Sequence, residues 1–177
     1  MRQKLKTLPK TRFVAFVASS ADGRISLANK TSPDWTSKED WNFLQKELLK
    51  VDAVVVGLNT YRAESDLLRR RNSYVLSDRL AAIKRIGTVT FVNPKNVGLN
   101  KLLSKYKTVA VLGGNSVYQY MLSHDLLDEI YITIEPLIFG RGKEMFAGGK
   151  KTSKISLLSV KKLNKTGTLL LHYKIGR

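Results

Sequence analysis

The sequence contains no cysteine, four prolines and two histidines. Without cysteine the chain cannot form disulfides, thiolate metal sites or a cysteine nucleophile. His124 and His172 are far apart and lack an HExxH-type partner. GxSxG, GxxxxGK[ST] and GxGxxG are absent, which removes the motif support for a serine hydrolase, a P-loop NTPase or an ordinary Rossmann enzyme. No acidic cluster has metal-ligand spacing, so we expect no metal site.

Long hydrophobic runs are also absent. The apolar segment at 13–18 is too short for a signal peptide or a membrane span, so the chain is predicted to be soluble and cytoplasmic, with no membrane partner. A length of 177 residues with 43% hydrophobic content fits one globular domain over residues 1–177. Residues 1–11 are predicted to be a basic N-terminal extension of that domain.

The chain is strongly basic, with 31 basic residues, 14 acidic residues and a net charge of +17. A basic nucleic-acid-binding domain is therefore one hypothesis. However, the densest clusters, at 69–71, 150–151 and 161–162, have no interleaved aromatic residues to stack on bases. We favour a solvated lysine-rich surface that attracts phosphorylated small molecules, and we expect no specific nucleic-acid partner.

Apolar runs typical of β-strands recur along the chain. We predict eight: Phe13–Ser19, Ala53–Gly57, Ser73–Ser77, Thr88–Val92, Thr108–Leu112, Glu129–Ile134, Ile155–Val160 and Leu169–Ile175. Helical patterns lie between several of them, at Lys38–Lys50, Leu99–Tyr106 and Val117–His124. The first helix begins with a capping-box sequence at 36–39 and is predicted to bury Trp41, Leu44, Leu48 and Leu49.

This alternation predicts an α/β fold with a mixed, mostly parallel sheet of about eight strands and helices on both faces. The segment Lys161–Gly167 has the composition of a hairpin turn, so the last two strands should be antiparallel. In such sheets ligands bind beyond the carboxyl ends of the parallel strands. Gly57 and the pair Gly113-Gly114 both follow predicted strands, which indicates one shared ligand crevice.

The Gly-Gly pair is the most informative local feature. It joins an apolar strand to a predicted helix for which Asn115 is the expected N-cap. Bare backbone N–H groups at a helix N-terminus suit a phosphate or pyrophosphate, although a simple turn explains the same sequence.

Six segments in register carry a family resemblance. They are Asp22-Gly23-Arg24-Ile25, Trp35-Thr36-Ser37, Val56-Gly57-x-x-Thr60, Gly113-Gly114, Leu127-Asp128-Glu129-Ile130 and 136–142. From about Phe13 to Phe146 the chain resembles the reductase domain of riboflavin biosynthesis, often the C-terminal half of a bifunctional deaminase–reductase. The resemblance implies a dihydrofolate-reductase-like three-layer fold, a homodimer, and NADPH as the source of a hydride. The substrate implied is a small heterocycle, with or without a phosphate, such as a phosphoribosylaminopyrimidine.

The resemblance also implies site residues. Cofactor-binding positions are Gly57, Thr60, Ser77, Arg79, Gly113, Gly114, Asn115 and Ser116. Ser77 and Arg79 lie where related enzymes meet the adenosine 2′-phosphate, which favours NADPH over NADH. Substrate-binding positions are Asp22, Trp35, Thr36, Ser37 and Arg71. The proton donor is open between water and the acids Asp34, Glu39 and Asp40.

Three positions depart from the family pattern. Leu112 stands where the family usually has Glu, Phe16 where it has Asn, and Asp66 where it has Pro. The first two replace polar groups near the substrate, so we expect activity on the riboflavin-pathway pyrimidine to be absent or weak, or else supported by other groups such as Asp34 and Arg71. A dihydrofolate or pteridine reductase is the alternative enzyme.

Overall fold

The computed structural model describes residues 10–27, 34–146 and 152–176. Within these ranges the chain forms eleven strands and five helices. The strands are β1 (Arg12–Ser20), β2 (Arg24–Ser26), β3 (Ala53–Gly57), β4 (Ser73–Leu76), β5 (Lys84–Ile86), β6 (Val89–Val92), β7 (Thr108–Val111), β8 (Glu129–Glu135), β9 (Lys143–Glu144), β10 (Ile155–Lys162) and β11 (Leu169–Ile175). The helices are α1 (Lys38–Leu48), α2 (Leu58–Ala63), α3 (Ser65–Leu68), α4 (Leu99–Leu102) and α5 (Asn115–Ser123).

Nine strands form one sheet in the order β10-β11-β8-β1-β7-β3-β4-β6-β5. The strands from β8 to β6 run parallel, β5 pairs antiparallel at one edge, and the β10–β11 hairpin is antiparallel at the other. The predicted mixed, mostly parallel sheet with a C-terminal antiparallel hairpin is therefore confirmed. The sheet holds nine strands rather than about eight, because β5 adds a short exposed edge strand; β2 and β9 pair separately.

Helices cover both faces of the sheet, as predicted. On one face Leu48 of α1, Tyr61 of α2 and Leu68 of α3 pack in the same cluster as Val54 and Val56. On the other face, side chains of α4 and α5 pack on alternate strand residues such as Ala53, Val55 and Val111. Burial on both faces explains why the central strands are continuous apolar runs.

Helix α1 differs from its prediction in two respects. Its N-cap is Ser37, whose Oγ accepts the Asp40 backbone N–H at 3.3 Å, so the capping pair lies one residue later than the 36–39 sequence indicated. The predicted burial of Trp41 and Leu49 is wrong, because their exposed fractions are 40% and 84%. Leu49 follows the last helical residue, and Trp41 borders an open cavity.

Helix α5 begins at Asn115 with Gly114 as its N-cap, so the prediction of Asn115 as the N-cap is wrong. Gly114 has the extended backbone of a cap, and its carbonyl accepts the N–H groups of Val117 and Tyr118. The Asn115 side chain instead accepts the Ser116 N–H at 2.8 Å. Helix α4 is shorter than predicted and ends at Leu102.

The predicted basic extension lies outside the described residues for positions 1–9. Within the described ranges, no helix combines the length and apolar content needed to cross a bilayer.

Candidate active site

Two cavities adjoin at the carboxyl edge of the parallel strands. The polar cavity is bordered by residues that include Gly57, Ser77, Arg79, Asn115, Ser116 and Lys143. The apolar cavity is bordered by residues that include Phe16, Trp35, Asp40, Leu44, Leu112 and Tyr131. Ile25, Thr60 and Gly114 border both. A ligand in one cavity can therefore contact a ligand in the other across Gly114.

The polar cavity collects the predicted cofactor residues. Gly57, Thr60, Ser77, Arg79, Gly114, Asn115 and Ser116 border it, and of the predicted set only Gly113 does not. They come from three separate segments, at the carboxyl ends of the parallel strands β3, β4 and β7. The N-terminus of α5, with its partial positive charge, opens into the same space.

The two adjacent glycines have different roles. Gly113 has φ +88°, and a Cβ there would lie 2.8 Å from the Tyr118 ring, so glycine is required by the fold. Gly114 has an ordinary φ of −72°. A Cβ on Gly114 would meet only the Thr60 hydroxyl, at 3.9 Å, and otherwise point into open space. Gly114 is thus the glycine at which a side chain would occupy ligand volume.

Among the described residues, three cations border the polar cavity: Arg62, Arg79 and Lys143. Sequence reasoning identified Arg79 but missed Arg62 and Lys143. Arg62 lies in the short helix α2, and Lys143 lies in the short strand β9. The Arg79 backbone N–H donates to the Ser77 hydroxyl at 3.4 Å. This charge and these hydroxyl and backbone donors suit a ligand with several phosphates.

Aromatic rings form one wall of the apolar cavity. Phe16 stacks on Tyr131 with ring centroids 5.3 Å apart and an interplanar angle of 2°. Phe43 of α1 tilts against both rings. Leu112 borders the same space. Two of the three positions at which the sequence departs from the family pattern, Phe16 and Leu112, therefore contribute apolar surface to this cavity.

Asp40 is the one predicted acid that borders the apolar cavity. It lies in the first turn of α1, and burial raises the pKa of its carboxyl. Hydrogen bonds with Thr133 and Thr36 oppose that increase, and the nearby Glu135 carboxylate adds to it. A carboxyl with a raised pKa inside a cavity can hold a proton closer to neutral pH than an exposed aspartate.

The other predicted acids lie elsewhere. Glu39 is exposed, and its Oε2 accepts a hydrogen bond from Asn164 Nδ2 at 3.3 Å. Asp34 is not among the residues that border either cavity. Asp22 joins two loops: it accepts the Ser20 hydroxyl at 2.6 Å and the backbone N–H groups of Phe139 and Gly140, which lowers its pKa to about 2.

Of the remaining predicted substrate residues, some border the apolar cavity and others do not. Trp35 and Thr36 border the apolar cavity, and Trp35 packs edge-on against Phe139 at 5.0 Å. Ser37 caps α1 instead. Arg71 borders neither cavity; its Nη1 donates to the Leu48 carbonyl oxygen at 3.0 Å, and burial lowers its pKa. Arg71 therefore ties the end of α1 to the segment before β4.

Sequence reasoning missed three polar groups around the apolar cavity. Glu64 borders it, and burial raises the pKa of its carboxyl. Thr133 and Glu135 lie on β8, with exposed fractions of 2% and 3%. The sequence contains a pattern that marks Thr133 and Glu135: within 132–135, two polar residues alternate with two isoleucines. In the structure this strand has another strand on each side. Polar residues on the buried face of such a strand need partners.

The comparisons with known proteins agree with this geometry. The family model described as the RibD C-terminal domain matches residues 75–169. A comparison with curated protein sequences finds no match. Among solved structures, a pyrimidine reductase-like protein from Corynebacterium diphtheriae is 18% identical, with 94% of this chain and 92% of that chain covered and a TM-score of 0.75.

Two further structures share the fold. RibD from Acinetobacter baumannii is 20% identical, with a TM-score of 0.76; 95% of this chain and 59% of that chain are covered. Dihydrofolate reductase from Enterococcus faecalis, complexed with NADP(H) and RAB-propyl, is 18% identical, with a TM-score of 0.66 and coverage of 96% and 99%. The α/β fold is thus dihydrofolate-reductase-like, as expected. Because the family model covers more than half of its length, the chain belongs to the RibD C-terminal domain family, whose members are NAD(P)H-dependent reductases.

Proposed function

We propose that this protein is an NADPH-dependent reductase of an amino-substituted, pteridine-like heterocycle. The observation that carries the proposal is the position of Asp40. This partly buried carboxyl borders an apolar, aromatic cavity, and that cavity adjoins a cationic one at Gly114. A hydride donor in the polar cavity and a flat heterocycle in the apolar cavity would meet at Gly114 and Thr60.

The polar cavity fits NADPH. The N-terminus of α5 beside Gly114 would hold the pyrophosphate, and the space that a Gly114 side chain would fill supports this assignment. Ser77 and Arg79 would hold the 2′-phosphate, since an arginine and a hydroxyl suit a phosphate dianion. Bound there, the cofactor would supply the hydride.

Asp40 and Thr133 suit the substrate edge that carries a ring nitrogen and an amino group. A carboxyl offers two oxygens to such an edge, and a threonine hydroxyl can both donate and accept. The same carboxyl can hold the proton needed when the carbon of the reduced C=N bond accepts the hydride; because the nitrogen of that bond is not on the amino-bearing edge, the proton would reach it through water. Activity should then fall as the pH rises through the pKa of Asp40.

A phosphoribosylaminopyrimidine is the second candidate substrate, and family membership favours it. Its phosphate would need a cation. Among the described residues that border the apolar cavity there is no lysine, arginine or histidine. Arg71 is nearby, since its Nη1 binds the carbonyl of Leu48, a cavity residue. This substrate therefore depends on Arg71 turning from that carbonyl toward the phosphate.

The experiment is NADPH oxidation, followed by absorbance, with dihydrofolate, an unsubstituted dihydropteridine and the pathway pyrimidine as separate substrates. Asp40→Asn keeps the size of the side chain and removes its proton; it should lower kcat/KM for the preferred substrate about 100-fold or more. Glu39→Gln and Asp34→Asn test the rival acids and should have little effect. If the protein reduces only the pyrimidine, and Arg71→Ala abolishes this activity while Asp40→Asn keeps it, the substrate is the phosphoribosylaminopyrimidine and the pteridine proposal is refuted.

A homodimer, which the family resemblance implies, is part of the same proposal. The edge strand β10 exposes about half of each of its apolar side chains Ile155, Leu157, Leu158 and Val160. Exposed apolar residues on a sheet edge favour pairing with a second copy. Sedimentation should give a dimer for the wild type and a monomer for the double variant Leu157→Lys, Val160→Lys; a wild-type monomer would refute this.

A further inference from the structure

Glu135, at the end of β8, is a buried carboxylate that bonds two other elements. Only 3% of it is exposed. Its Oε1 accepts the backbone N–H of Ser37 at 2.7 Å, and its Oε2 accepts the hydroxyl of the fully buried Thr168 at 2.7 Å. A buried carboxylate is costly unless such donors compensate it. Both donors are held in place by the surrounding fold.

The first donor belongs to the N-cap of α1. Ser37 is that cap, and Asp40 lies three residues later in the first turn. A hydrogen bond to the Ser37 N–H therefore fixes the position of the first turn of α1 relative to the sheet. The N-terminus of α1 also carries a partial positive charge, which stabilises a carboxylate at this position.

The second donor belongs to the C-terminal hairpin. Thr168 precedes β11, and the Asn164 amide donates to its hydroxyl at 2.9 Å. The Asn164 side-chain oxygen accepts the N–H groups of Gly167 and Thr168, which fixes the turn. Glu135 thus connects the start of α1 to the hydrogen-bonded turn between β10 and β11.

Glu135 also acts on Asp40 through charge. Its carboxylate is one of the groups that raise the pKa of the Asp40 carboxyl, in addition to burial. The other groups that face Asp40 are Thr133 on β8, Thr36 before α1 and Tyr118 on α5. Tyr118 is uncharged, because burial raises its pKa and its hydroxyl donates to the Phe16 carbonyl oxygen.

We propose that Glu135 is a positioning residue of the site: it fixes the start of α1, and with it Asp40, and it keeps a second negative charge beside that carboxyl. The proposal rests on the proposed function for its catalytic meaning. Its physical content, the effect of Glu135 on Asp40, holds in the unliganded protein and can be measured there.

Two substitutions separate the two effects. Glu135→Gln keeps the length of the side chain: its oxygen can accept from Ser37, and its amide can donate to the Thr168 oxygen, while the charge is lost. Glu135→Asp keeps the charge and shortens the reach by one methylene. Glu129→Gln is the matched control, because Glu129 lies on the same strand with Arg12 and His172 as its partners.

The first measurement is carbon-13 NMR titration of the aspartate carboxyls without ligands, with the Asp40 signal assigned from Asp40→Asn. We expect the Asp40 midpoint to move to lower pH in Glu135→Gln, because a like charge has been removed. We expect no change in Glu129→Gln. An unchanged midpoint in folded Glu135→Gln would overturn the charge part of the proposal, whether or not the protein is a reductase.

The second measurement is kcat/KM against pH with whichever substrate the wild type reduces. In Glu135→Gln, kcat/KM should fall at a lower pH than in the wild type, in step with the lowered Asp40 midpoint. Glu135→Asp should lower kcat/KM about 10- to 100-fold, the scale of a misplacement near 1 Å, and keep the midpoint. If kcat/KM of Glu135→Asp equals that of the wild type, the claim that Glu135 positions Asp40 is overturned. Glu135→Asp tests that claim even if Glu135→Gln does not fold. Wild-type inactivity with every substrate would refute the proposed function and leave the NMR result standing.

Discussion

The two adjacent glycines allow the cofactor site to be tested apart from folding. Gly113→Ala requires an alanine at φ +88° and places its Cβ 2.8 Å from the buried Tyr118 ring. Backbone strain of about 1–3 kcal/mol and overpacking of about 1–3 kcal/mol give a loss of roughly 2–6 kcal/mol in the free energy of unfolding. For a domain of this size that lowers Tm by about 4–24 °C.

Gly114→Ala and Gly114→Val should behave in the opposite way. The backbone of Gly114 is accessible to any residue, and the one atom near its Cβ is 3.9 Å away, so only the loss of a favourable N-cap residue should lower stability, by about 1 kcal/mol. The added side chain would instead occupy the space assigned to the pyrophosphate. We expect the Kd for NADPH to rise about 100-fold or more in Gly114→Val, which corresponds to about 2.7 kcal/mol.

The assays are thermal unfolding by circular dichroism and NADPH titration by fluorescence. Gly114→Val that melts with the wild type and binds NADPH normally would refute the assignment of the pyrophosphate to this helix terminus. So would Gly113→Ala that folds with full stability but cannot bind, because the ligand would then contact the other glycine.

The remaining predictions concern charge. Arg79→Ala should weaken NADPH binding by about 1–3 kcal/mol and leave NADH nearly unchanged in parallel titrations; equal losses would remove Arg79 from the 2′-phosphate site. Asp40→Asn should raise Tm when unfolding is measured above neutral pH. The pKa of Asp40 is raised in the fold, so the stability that the protonated carboxyl contributes is fully present below the unfolded pKa of 3.8 and is lost as pH rises through the folded pKa. A variant with no gain there would show that the ionised carboxyl is well compensated. The net charge of +17 should give only weak nucleic-acid binding that disappears as salt rises. Selective submicromolar binding at physiological salt would restore the nucleic-acid hypothesis.

The sheet was predictable because its strands are buried on both faces. Runs such as 53–57 and 109–112 are apolar without interruption, which identifies central parallel strands. The short strands β5 and β9 carry mostly charged residues and lack that signal. Helices α2 and α3 were missed because six and four residues are too few to show a helical period.

The candidate site divides in the same way. The clustering of the proposed cofactor residues around one cavity was predictable, since strand polarity brings the ends of parallel strands to one edge of the sheet. The choice of Asp40 over Glu39 was not, because adjacent residues of one helix turn face different directions and only packing decides which is buried. Thr133 and Glu135 alternate with isoleucines at 132–135, but the alternation alone does not say which face of the strand is buried.

The most direct measurement is a crystal structure of the protein with NADPH and an amino-substituted dihydropteridine. We expect the pyrophosphate at the N-terminus of α5 against Gly114 and the heterocycle beside the Phe16–Tyr131 wall. Its ring nitrogen and amino group should lie about 2.7–3.0 Å from the Asp40 carboxylate oxygens. NADPH bound elsewhere, or a heterocycle that contacts neither Asp40 nor Thr133, would contradict the central claim.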